Sequence, residues 1–124
     1  MPIVTIQLVQ EEASDISAHI VQSLADRLGR IFGTTAGETW VRVTHLARSQ
    51  YAENDVTVGL NVQSTFVEVL KENLPDEESM ATEAKRIAVI VSGKLSRPLD
   101  NTHVLYLPPA AGRIAFGGEL RLTE

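Results

Sequence analysis

The sequence contains no cysteine. Disulfides, thiolate nucleophiles and zinc–thiolate centres are therefore excluded. Long apolar runs are missing too. The longest is the short stretch from Ile87 to Val91, far below what a bilayer-spanning helix needs. The N-terminus lacks the basic start and sustained apolar stretch of a signal peptide, so a cytoplasmic location is the default expectation. Histidine is scarce, and His19, His45 and His103 do not share metal-ligand spacing. An excess of positive charge is also absent. Eleven Lys and Arg face sixteen Asp and Glu, a net charge of -5. That balance argues against nucleic acid, whose binding rests on neutralising phosphates. It argues equally against an anionic membrane surface.

What remains is one domain's worth of ordinary globular composition, 124 residues with 44% apolar and 22% charged side chains. Residues 2–9 form a β-rich apolar stretch suited to a buried strand. From Asp15 the period changes, and Ile16, Ile20, Leu24, Leu28 and Ile31 fall on one helical stripe that Gly33 ends as a C-cap. Residues 39–46 then alternate like a strand. The second half follows the same plan. Residues 55–62 and 65–70 read as extended, as two strands or one bent strand. Pro75, Asp76, Glu77 and Glu78 signal a helix start. Met80, Ala84, Ile87, Val91 and Leu95 form its stripe, Pro98 stops it, and residues 103–107 make the last long strand before Pro108 and Pro109. The halves superpose in pattern at a shift of about 62 residues.

The expected fold is therefore α/β: two tandem β-α-β units forming a four-stranded, mainly parallel or mixed sheet with two helices on one face. The chain reads as a single domain, 1–124, made of two pseudo-repeats at about 1–62 and 63–124. The second sheet face is expected to be largely apolar and covered by other subunits.

Pro2 carries the chemistry. Methionine aminopeptidases remove Met1 when the next residue is small, and the product begins with a secondary amine. Burial in an apolar pocket disfavours the ammonium form and lowers its pKa towards neutrality, and a nearby Arg pushes the same way. A neutral amine there can take a proton from the carbon beside a carbonyl and return it elsewhere. Pro2 opens directly into the first strand, a rigid mounting for such a group. Taken alone, most Met-Pro starts do nothing. Gly112, Gly117 and Gly118 lack the lysine and helix of a phosphate loop and read as turn glycines.

The N-terminal Pro-Ile-Val strand, the Val41-Arg42-Val43 strand and the closing stretch from Gly112 to Leu120, with its Phe-Gly-Gly-Glu-Leu, together resemble the tautomerase superfamily. The short motifs look like the 4-oxalocrotonate tautomerases. The doubled length looks like the macrophage migration inhibitory factor (MIF) and decarboxylase branches.

The resemblance implies a cofactor-free, metal-free keto–enol isomerase, trimeric, with sites at subunit boundaries and a small keto or enol acid as substrate. By position it places Pro2 as the base and Arg42 as the cation that binds and polarises substrate. Ile114 or Phe116 takes the place of the hydrophobic wall, and His103 that of an aromatic pocket residue. Arg113 is a second candidate cation or a solvated loop residue. Arg42 equally suits a structural ion pair. The family's arginine after the first strand is missing, because Gln10, Glu11, Glu12 and Ala13 stand there. Two rivals remain: a non-catalytic trimeric module of the same fold that binds a small molecule or a protein, and an unrelated ferredoxin-like regulatory domain.

Overall fold

The computed structural model describes residues 1–11, 15–56 and 63–123. Its long elements run β1 (Ile3–Gln10), α1 (Ala18–Phe32), β2 (Trp40–Ala47), β3 (Thr65–Leu70), α2 (Glu77–Leu95) and β4 (Thr102–Tyr106). A small hairpin, β5 (Ala115–Phe116) and β6 (Glu119–Leu120), follows. The main sheet has the order β2-β1-β3-β4. β1 runs parallel to β2 and β3 parallel to β4, while β1 and β3 meet antiparallel at the centre. This is the expected mixed sheet of two β-α-β units. The expected strand at 55–62 falls mainly on 57–62, outside the described residues.

One hydrophobic cluster joins the layers. Val4, Ile6 and Leu8 of β1 and Val67 and Val69 of β3 meet Leu24 and Leu28 of α1 and Ile87 and Val91 of α2. Both helices thus cover the same sheet face. The register puts Val4 beside Val41 and Val69, and Ile6 beside Val43 and Val67. Side chains alternate with a period of two, so a one-residue slip would turn this whole set away from the helices.

Local chemistry sets the helix ends. Ser17 accepts from the His19 backbone N–H at 3.2 Å and starts α1 at Ala18, two residues after the apolar stripe begins at Ile16. Gly33 ends it at φ 68°, a left-handed conformation that costs glycine least. Asp76 caps α2 by accepting from Ser79 N–H at 2.8 Å, with Glu77 and Glu78 in the positive first turn. The helix stops at Leu95, where Ser96 turns left-handed, before Pro98 is reached. Lys71 ties β3 to α2 through Glu83 at 3.1 Å, and the Tyr106 hydroxyl donates to the same carboxylate at 2.8 Å.

The face away from the helices differs from the expectation. Across it run Thr44, Gln7, Phe66 and His103, then Arg42, Thr5, Glu68 and Leu105. It is mixed, not largely apolar, because the register sends Val41 and Val43 into the core and leaves Arg42 and Thr44 outside. The large apolar groups on it include Trp40, Phe66 and Leu105, and Leu105 is 59% exposed.

Candidate active site

Four segments converge where β1 begins. Pro2 is buried immediately before β1, and its carbonyl accepts from Trp40 N–H at 3.0 Å, which joins the start of β1 to the start of β2. The Trp40 ring is steered by its own Nε1–H, which donates to Gly37 O at 2.9 Å. It meets Phe116 edge to face, centroids 5.5 Å apart at 88°. Phe116 can reach it because Gly117 and Gly118 both hold positive φ and fold β5 onto β6 in two residues. The hairpin is itself anchored beside the end of β3: Ala110 N–H and Ala111 N–H donate to the carbonyls of Lys71 and Glu72 at 2.9 and 3.1 Å.

Two charged residues absent from the sequence-based site complete the geometry. Glu72 Oε1 lies 4.0 Å from the Met1 ammonium nitrogen and accepts from Arg121 Nε at 2.7 Å. The Arg121 guanidinium, more than burial can oppose, holds the Glu72 carboxyl below its usual value. Glu38 is held low by hydrogen bonds from Thr35, with the N-terminus and Arg121 adding weaker attraction. No motif marked Glu72 or Arg121. They are far apart in sequence, and only the return of the C-terminal segment to the end of β3 brings them together. With Met1 in place the Pro2 nitrogen is an amide, so basicity at this position requires removal of Met1.

The expected site residues divide into three groups. Pro2 and Phe116 share the Trp40 neighbourhood. Ile114 is half-buried in the same segment, and its carbonyl accepts from Arg121 N–H at 2.8 Å. Arg42 lies two residues beyond Trp40 on the same side of β2, where it donates to Thr5 Oγ1 at 3.0 Å. Among the described residues it makes no ion pair. Arg113 and His103 stand differently. The Arg113 guanidinium is spent on backbone, donating to Pro108 O and Pro109 O at 2.8–3.1 Å. It fastens the turn that follows β4. His103 pairs with Phe66, which pairs with Gln7, so it sits towards the opposite end of the sheet from Pro2. Its ring packs 5.6 Å from that of Phe66. Within one chain His103 and Pro2 do not share a pocket.

Among the described residues there is no cluster of His, Asp and Glu suited to hold a metal ion, and no helix long and apolar enough to cross a membrane. No protein-family model matches the sequence, and no curated protein matches it.

Known structures do match in three dimensions. The MIF of Trichinella spiralis superposes at TM-score 0.73 with 13% identity, over 94% of this chain and 96% of that one. A fused 4-OT described as an asymmetric trimer gives TM-score 0.73 at 12% identity, covering 94% and 95%. Pt0534 inactivated by 2-oxo-3-pentynoate gives 0.73 at 15% identity, covering 96% and 95%. The fold is the one that MIF and 4-OT structures share. It extends over nearly the whole chain.

Proposed function

We propose that this chain is a cofactor-free tautomerase that uses the amine of Pro2, freed by removal of Met1, as general base on a small keto or enol acid. The observation that carries the reading is the placement of Pro2: buried at the head of a central strand and hydrogen-bonded to Trp40 of the Trp40–Phe116 pair, in a MIF and 4-OT fold. Removing Met1 uncovers a secondary amine in an apolar, rigid setting. The neutral amine takes the proton from the carbon beside the carbonyl and, as the ammonium, returns it to the enolate oxygen; in the reverse direction it takes the enol O–H proton and returns it to carbon, which regenerates the ketone. Burial favours the neutral amine, as does Arg121, while the Glu72 carboxylate favours the ammonium form.

In this reading Phe116 and Ile114 form the apolar wall, and Arg42 stabilises substrate carboxylate or the developing oxyanion. Arg113 shapes the wall segment from behind. The chain assembles as a cytoplasmic homotrimer of pseudo-repeated subunits, as fused 4-OT proteins are trimers. His103 then reaches a site only from a neighbouring subunit. Nucleic acid and membranes are not partners.

One observation favours a second reading, a non-catalytic trimeric binding module: Glu72 Oε1 lies 4.0 Å from the Met1 nitrogen, an arrangement that suits an ion pair with an intact N-terminus. Intact-mass spectrometry of the natively expressed protein, followed by phenylenolpyruvate ketonisation on the same sample, decides. The tautomerase reading expects loss of the Met1 mass and a fall of about 100-fold or more in Pro2→Ala. Retained Met1, or activity indifferent to Pro2, refutes it and leaves the binding module.

A further inference from the structure

Arg121 is held at three points along its length. Its backbone N–H donates to Ile114 O at 2.8 Å, and its carbonyl accepts from Gly112 N–H at 2.6 Å. Its Nε donates to Glu72 at 2.7 Å. The two terminal nitrogens have no other hydrogen-bond partner among the described residues. Arg121 lines a cleft of about 590 Å³ whose walls also include Asn73, Leu120 and Leu122. That cleft shares Glu72 with the N-terminal nitrogen. A guanidinium that gives Nε to one carboxylate still presents a pair of N–H donors to another, in the geometry a carboxylate accepts. Of the other arginines, Arg113 is committed to two carbonyls, while Arg42 gives one terminal nitrogen to Thr5 across the sheet.

We propose that the Arg121 cleft is the carboxylate subsite, with Arg121 binding the carboxylate of a monoanionic keto or enol acid and Glu72 positioning the guanidinium. The inference rests on the tautomerase reading for the identity of the ligand. Glu72 contributes selectivity as well as position. Its charge offsets that of Arg121, so a second carboxylate on the ligand meets repulsion instead of a second cation. Arg42 is then left for the oxyanion.

The test is calorimetric titration of the full processed chain with hydrocinnamate, a monocarboxylate that cannot tautomerise, and with phenylsuccinate. Arg121→Ala weakens hydrocinnamate about tenfold or more, and Arg121→Lys recovers part of it, since a point charge replaces a planar fork. Glu72→Gln strengthens phenylsuccinate relative to hydrocinnamate. Thermal melting of each variant checks folding, which Arg121→Ala preserves because that side chain is 58% exposed.

Folded Arg121→Ala that binds like the parent, loss that follows Arg42→Ala instead, or a parent that does not bind hydrocinnamate each overturns the proposal. The two readings fail separately. Hydrocinnamate binding that needs Arg121, with ketonisation indifferent to Pro2, keeps the subsite and removes the tautomerase. Ketonisation that needs Pro2, with binding indifferent to Arg121, does the reverse.

Discussion

Pro2, Trp40, Phe116, Glu72 and Arg121 meet at one end of the sheet, yet only some of them announce themselves in the sequence. Pro2 is legible because a proline after Met1 has a specific chemical consequence. Phe116 is legible from its place before two glycines. Glu72 and Arg121 are not, because neither type nor spacing marks a pair formed by the return of a C-terminal segment. Arg113 reads from sequence as a second cation or a solvated loop residue, and its carbonyl partners become visible only when the Pro108–Pro109 turn is seen in space. Trp40 is the sole tryptophan, so it reports on this corner without interference. Phe116→Ala removes its edge-to-face partner, an interaction worth about 1 kcal/mol beyond area. The expected outcome is a red-shifted Trp40 emission together with a raised KM for phenylenolpyruvate. An unchanged emission spectrum would place Phe116 away from Trp40 in solution.

At the scale of elements, apolar periodicity located both helices and most strands, because each buries one face on a shared core. Ends were less legible. The α1 stripe begins at Ile16, but the helix begins after the Ser17 cap, since backbone N–H satisfaction, not hydrophobicity, decides where a helix starts. The Asp76 cap at α2 makes a pH prediction. Ser79 N–H holds the Asp76 carboxyl below its usual value. A carboxyl lowered in the folded state adds stability above its unfolded pKa and loses it as pH falls through the folded one. Asp76→Asn keeps an acceptor but not the charge, so it should show a shallower loss of thermal stability on acidification than the parent. Parallel melting curves across the acid range would mean that the cap does not titrate with folding.

The whole molecule poses a different question from its parts. Two β-α-β units in a four-stranded sheet with both helices on one face were legible; the strand order β2-β1-β3-β4 comes from the structure. The character of the uncovered face was not legible, because apolar content does not tell which of two alternating sets faces the helices. The register does, and it leaves Arg42, Thr5, Glu68 and Gln7 among Trp40, Phe66 and Leu105. The proposed trimer covers much of this face with neighbouring subunits. Leu105→Glu should then shift sedimentation from trimer towards monomer and lower ketonisation with it, because the site needs its neighbour. A trimer of unchanged stability in Leu105→Glu would show that assembly uses another surface.

The central claim concerns one nitrogen, and its titration tests the claim most directly. ¹⁵N-labelled Pro2 in the processed chain can be followed by NMR as pH is varied, and compared with the acid limb of the kcat/KM profile for phenylenolpyruvate. The account predicts a titrating amine, below the ordinary value of a free prolyl amine, whose midpoint coincides with the kinetic limb. An amide nitrogen that does not titrate, or an amine whose midpoint bears no relation to the rate, would contradict it.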